Sequence, residues 1–172
     1  MRAGRLSILL AAAVLAGCTH AVDGTAAARF TLPVANFPDT RGFTEVDAAS
    51  FYIRDGNPEY GFGFRAPNGL RCGMGSFPIW RAARAFCTGR RRDKGPGVWT
   101  VTAERFGETT ITRESRRDPN RTPRGHHAKV LPPRHFVVDS GDTLCLVTQD
   151  SIVACHVGEH GFILAPKTTT LF

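Results

Sequence analysis

Four cysteines constrain the fold of this chain more than any other feature. Cys72, Cys87, Cys145 and Cys155 remain once Cys18, which closes an N-terminal export signal, is set aside. An even number of cysteines in an exported chain reads as two disulfides, because thiols oxidise outside the cytosol. Three pairings are open in principle. Hairpin geometry favours the two sequence-local ones, Cys72–Cys87 and Cys145–Cys155. Residues 143–148 and 151–157 read as two strands around a Gln149-Asp150-Ser151 loop, which sets Cys145 opposite Cys155. A non-hydrogen-bonded antiparallel pair holds its Cα atoms about 4.5 Å apart, within disulfide reach. Each bridge should restrict the unfolded chain by roughly 3 kcal/mol. A four-cysteine zinc site is the competing reading, but no C-x-x-C pair is present and no metal is expected.

The rest of the domain reads as strands between turns. Gly 18 and Pro 11 in 172 residues favour turns over long helices. Tyr60, Phe62 and Phe64 alternate with Gly61, Gly63 and Arg65, and Leu70, Cys72 and Met74 alternate back. Between them Ala66-Pro67-Asn68-Gly69 is a turn in which Pro67 presets φ and Gly69 accepts a positive φ. Residues 98–102, 109–112, 136–138, 162–164 and 168–172 read as further strands. Residues 80–86 read as a short helix or a loop. Residues 43–49 allow one helical turn capped by Thr44 or Asp47. Residues 113–135 read as a long basic loop. The expected fold is mainly β: a small disulfide-stapled antiparallel sandwich or partly open barrel with little helix.

The leader sets the compartment. Arg2 and Arg5 precede an apolar run over residues 6–16, too short to span a membrane and suited to a signal peptide. The run ends on Leu15-Ala16-Gly17-Cys18, which resembles the lipobox of bacterial lipoproteins. That resemblance implies an acylated Cys18 at the mature N-terminus and extracytoplasmic anchorage to the cell membrane by lipid. Residues 1–17 are then the signal peptide, 18–43 a tether rich in Ala, Thr, Asp and Pro, and 44–172 one β-rich domain.

Charge is unevenly spread. The chain carries +7 in all, and +5 from residue 18 onward. Residues 81–135 hold a net +9, leaving −4 for the rest of the mature chain. Such asymmetry points to an anionic neighbour. The candidate anion-binding residues are Arg90, Arg91, Arg92, Arg116, Arg117, Arg121 and Arg124, whose guanidinium forks suit phosphate and carboxylate. An anionic lipid or wall polymer is the expected partner. Nucleic acid is not, since the chain is exported and shows no nucleic-acid-binding motif.

The hairpin sequences resemble a group of uncharacterised exported proteins and lipoproteins of mycobacteria and related actinomycetes. The group carries a Phe-x-[Ser/Thr]-Pro-x-Gly-[Leu/Ile]-x-Cys hairpin, here residues 64–72. It carries a Leu-Pro-x-Gly-His segment, here Leu131-Pro132-Pro133-Arg134-His135, and a final His-Gly-Phe, here His160-Gly161-Phe162. Ala66 stands where the group has a hydroxyl residue, and Arg134 where it has glycine. The resemblance spans residues 60–172 and implies a small disulfide-stapled envelope domain with no assigned catalytic residues.

Two constellations bear on chemistry. His156-Val157-Gly158-Glu159-His160 spells H-x-x-E-H, a zinc peptidase signature that requires both histidines on one helical face. The surrounding pattern is that of a strand, so no metal site is expected there. His135, Asp139, Asp142, His156 and His160 can together supply a base and its orienting acid, which makes an extracytoplasmic hydrolase the alternative function. The candidate nucleophiles Ser140 and Ser151 sit in turns, and no Gly-x-Ser-x-Gly elbow exists. No catalytic residue and no cofactor are assigned. The expectation is a lipid-anchored, non-catalytic binding or structural module of the cell envelope.

Overall fold

A computed structural model describes residues 36–51, 62–77, 82–115, 129–139 and 142–172. Two sheets pack face to face. The first contains β1 (Thr44–Val46), β7 (His135–Asp139), β8 (Thr143–Val147), β9 (Val153–Val157), β10 (His160–Leu164) and β11 (Thr169–Leu171), in the order β1-β7-β8-β9-β10-β11. The second contains β2 (Phe62–Arg65), β3 (Arg71–Phe77), β4 (Ala82–Gly89), β5 (Trp99–Glu104) and β6 (Gly107–Arg113), in sequence order. Every pairing is antiparallel except β1 with β7. The sheets do not close into a barrel, so of the two expected architectures the sandwich is the observed one.

Alternation explains the core. In β4 the inward positions are Ala83, Ala85 and Cys87, and in β5 they are Val101 and Ala103, all buried. These meet Val137, Cys145, Val147, Cys155, Phe162 and Leu164 of the opposing sheet in one cluster. Both disulfides lie in this core. Cys72–Cys87 joins β3 to β4 with Cα atoms 4.0 Å apart, and Cys145–Cys155 joins β8 to β9 at 4.1 Å. In each case the two cysteines are direct cross-strand partners.

The turns obey local chemistry. Gly69 takes φ 87 and its amide donates to the Ala66 carbonyl at 2.9 Å, so the first hairpin turns as its Pro-Asn-Gly sequence dictates. The hairpin forms with Ala66 in place of a hydroxyl residue. The second closes through Thr148 and Ile152 around Gln149-Asp150-Ser151, with Ser151 at φ 60. Between β9 and β10 the loop is Gly158-Glu159, and Gly158 adopts φ 58 at the first position. Arg134 takes φ 59, in the left-handed region that glycine enters freely.

Three expectations are corrected. The helix or loop over residues 80–86 is strand β4 from Ala82 onward. Alanine favours helix in isolation, but here small side chains on one parity let β4 lie close beneath the opposing sheet, and two strand partners outweigh propensity. The helical turn near residue 44 begins later: Thr44 is in β1, and a 3-10 turn spans Ala48–Phe51. Asp47 caps it, its Oδ1 accepting from the Ala49 amide at 2.9 Å. The basic loop over residues 113–135 is not wholly irregular. Its Arg113 ends β6, His135 opens β7, and Leu131 is fully buried, with its amide donating to Arg65 at 2.9 Å.

Of the expected tether, residues 36–43 are described. They carry Phe37 and Phe43 onto the outer face of the first sheet, against Leu144, Leu146 and Ala154. Cys18 and residues 1–35 lie outside the described residues, as do Tyr60, Trp80 and the turn residues Ser140 and Gly141.

Candidate functional site: a basic groove at one end of the sandwich

β4 ends at Gly89, and the chain makes an excursion over residues 90–98 before β5 begins. The run Arg90-Arg91-Arg92 opens this excursion, and strand-like alternation divides its three side chains. Arg90 and Arg92 are exposed, whereas Arg91 is buried at 4% relative exposure. Arg91 donates to the carbonyls of Ala165 (2.7 Å) and Thr168 (2.6 Å) and to Thr169 Oγ1 (3.1 Å). It also pairs with Asp93 at 3.1 Å. Burial pushes the Asp93 carboxyl up, but the Thr169 hydrogen bond, its own backbone amide and the Arg91 and Lys94 charges outweigh that and hold it below the usual carboxylate range. Arg91 therefore latches the excursion to the β10–β11 turn. It leaves the set of candidate anion ligands, because its donors are already engaged.

The exposed members line an open groove of about 1970 Å³. It is lined by the β2–β3 turn with Arg71, by residues 88–92 and 95–98, by Arg113, Glu114 and Ser115 after β6, and by Pro166. Gly97, at φ 123, makes room for Arg113. A Cβ on Gly97 would stand 2.9 Å from the Arg113 Nε. Arg71, Arg90, Arg92 and Arg113 thus line one recess, and among the described residues none of them is in an ion pair. One carboxylate sits within it. Glu114 accepts from the Thr100 hydroxyl, which lies 2.7 Å from the Thr88 hydroxyl.

The two ends of the sandwich differ in sign. Arg65, Lys129, Arg134 and Lys167 lie at the groove end, beside the β2–β3, β8–β9 and β10–β11 turns. The opposite end carries Glu104, Asp142 and Glu159, and its arginines Arg84 and Arg105 are paired with Glu104 and Asp142.

The structure brings together only part of the expected set. Arg90 and Arg92 are in the groove and Arg91 is beneath it. Arg116, Arg117, Arg121 and Arg124 lie outside the described residues, although the chain leaves them from Ser115, a groove residue. Sequence reasoning misses Arg71. Its signal is parity: Arg71 neighbours the inward Cys72 and so must point outward, across from Thr88. Trp99, read as core, is half-exposed beside the groove, with Nε1 donating to the Gly95 carbonyl at 3.4 Å.

The His/Asp constellation does not assemble. His135 and Asp139 occupy opposite ends of β7, about 13 Å apart along a strand. The His135 Nδ1 lies 2.8 Å from the Pro133 carbonyl, and Asp142 pairs with Arg105. The H-x-x-E-H run is a hairpin, not a helix. His160 is the cross-strand partner of Val157, which faces the core, whereas His156 shares the outer face with its partner Leu144. The two histidines therefore sit on opposite faces of the sheet. Among the described residues no three His, Cys, Asp or Glu side chains gather in a metal-binding arrangement.

No protein-family model, curated protein or solved structure matches the chain.

Proposed function

We propose that this protein is a lipid-anchored, non-catalytic binding module of the bacterial cell envelope, and that its basic groove contacts an anionic envelope component. The observation that carries the reading is that Arg71, Arg90, Arg92 and Arg113 all line one open recess. Two disulfides in the core support an oxidising compartment. The lipobox Leu15-Ala16-Gly17-Cys18 supports attachment through Cys18, and residues 19–35 separate that cysteine from the described domain. The resemblance to actinobacterial exported lipoproteins is consistent with both.

A module held at a surface meets its ligand at high local concentration, so modest affinity suffices. Each arginine well placed near an anionic surface adds about 1 kcal/mol. The attraction weakens with salt, because the Debye length falls to about 8 Å at physiological ionic strength.

The test uses residues 19–172 in low salt, with anionic vesicles, neutral vesicles and an anionic polymer. Binding to at least one anionic probe, lost above physiological salt and lost in the Arg71→Ser, Arg90→Ser, Arg92→Ser, Arg113→Ser variant, is the expected result. Indifference to every anionic probe at low salt refutes the proposal.

A further inference from the structure

We infer that the groove is built for an anionic carbohydrate chain rather than for a lipid headgroup layer. This rests on the anion-binding reading above and specifies its ligand. The first observation is Glu114. A site for a plane of negative charge gains nothing from a carboxylate among its arginines, since like charge repels the surface it must approach. A sugar is different, because its hydroxyls donate to a carboxylate while its acidic groups pair with arginine. Glu114, Thr100 and Thr88 form a hydrogen-bonded row along the outer face of the second sheet, next to Arg71. That row supplies acceptors and hydroxyls beside cations, the mixture a charged sugar presents in complement.

The second observation is independent and lies on the next row of the same face. Phe86, Thr102 and Thr110 are cross-strand neighbours there. Phe86 is half-buried yet belongs to neither apolar cluster. Its ring lies on Gly73, where a Cβ would stand 2.7 Å from Cζ. Gly73 pairs with Gly63, and both glycines are buried, so the half-buried ring is flanked there by backbone rather than by side chains. The ring is a flat apolar platform among threonines. Such a platform stacks against the C–H face of a pyranose and offers nothing to a phosphate. Phe86 is two residues from Thr88, or about 6.6 Å along the strand, so platform and groove are adjacent. A chain with an acidic group on Arg71 therefore lays its next sugar unit over Phe86, which shares the outer face of the sheet with it.

The third observation is shape. The groove is open, as a polymer entering and leaving requires, and it is concave, whereas a membrane is flat.

The experiment measures binding of residues 19–172 to four probes: polygalacturonate, inorganic polyphosphate, neutral dextran, and phosphatidylglycerol vesicles. Polygalacturonate should bind most tightly. Phe86→Ala should weaken it by about tenfold, the equivalent of 1.4 kcal/mol, while leaving polyphosphate binding unchanged. Phe86→Trp should restore it, and Glu114→Gln should lower the preference for polygalacturonate over polyphosphate. Thermal melts of each variant establish that the fold is retained, and Thr88→Val repeats the test without touching the ring. Equal or tighter binding of polyphosphate, indifferent to Phe86→Ala, overturns the carbohydrate assignment and leaves a general anion site. Binding to the vesicles alone assigns the groove to the membrane and also overturns it. Failure of all three anionic probes removes the underlying anion-binding proposal as well.

Discussion

The outer faces of the two sheets are made of different chemistry. On the first sheet, rows of Phe136, Leu146, Ala154 and Ile163 and of Val138, Leu144 and His156 run across four strands. Residues 36–43 lie over them and bury Phe37 and Phe43 there. On the second sheet the matching rows are Arg71, Thr88, Thr100 and Thr112, and Gly73, Phe86, Thr102 and Thr110. Among the described residues, one outer face is apolar and covered by the chain's own residues 36–43, and the other is polar, with Arg71, Thr110 and Thr112 exposed. Strands covered on both sides need apolar residues at every position, and strands wetted on one side alternate. β8 and β9 are buried throughout, while β4 alternates. The groove adjoins the polar face, through Arg71 and Thr88.

The strongest way to break this contrast is to remove matched side chains from the two faces. Leu146 is fully buried on the closed face. Leu146→Ala should destabilise the protein by about 2–5 kcal/mol through lost transfer energy and a residual cavity. Thr110→Ala, exposed on the open face, should stay within about 0.5 kcal/mol. Urea unfolding of both variants decides it. A cost for Leu146→Ala no larger than that for Thr110→Ala means the closed face is not a second packed layer.

The next comparison sets Arg91 against Arg92, adjacent residues with opposite exposures. Arg91→Ala removes the hydrogen bonds to the Ala165 and Thr168 carbonyls and the ion pair with Asp93, and should cost about 1–3 kcal/mol of stability. Arg92→Ala should leave stability within about 0.5 kcal/mol and weaken anion binding instead. If both variants lose binding equally with no loss of stability, the latch assignment for Arg91 is wrong.

Much of this architecture is legible from residue order. The Pro67-Asn68-Gly69 turn, the loop of residues 149–151 and both cysteine pairs follow from local rules, because turn chemistry and cross-strand spacing act over a few residues. β4 is less legible. Its Ala-Arg-Ala pattern satisfies helix propensity, and only pairing with β3 and β5 decides for strand. The groove is half legible. The Arg90–Arg92 run announces charge, but which arginine turns inward depends on the β10–β11 turn, more than seventy residues away. Arg71 enters the site only through sheet register. The roles of Phe37 and His156 likewise emerge from tertiary contact, since nothing near either residue in sequence encodes their meeting.

That meeting yields the subtlest contrast, which is one of pH. His156 is buried on the closed face, with the Phe37 ring edge-on at 4.6 Å between centroids and its Nδ1 3.1 Å from the Gly158 carbonyl. Burial drives its pKa below the ordinary 6.5, and the Gly158 carbonyl and the Asp142 charge only partly offset this. The neutral ring is therefore the form the fold prefers. The unfolded chain binds a proton at this site near pH 6.5, while the folded chain resists until a lower pH. Stability from this group is complete above about pH 6.5, declines as pH falls through that value, and levels off below the folded pKa. Melting temperatures measured from pH 7.5 to pH 5 should fall more steeply for the natural protein than for His156→Leu, which keeps an apolar side chain in the row with Leu144. Anion binding by the groove should be the same in the natural protein and in His156→Leu, because His156 lies on the outer face of the other sheet. Parallel pH profiles for the natural protein and His156→Leu would show that the closed face does not exclude the charged ring.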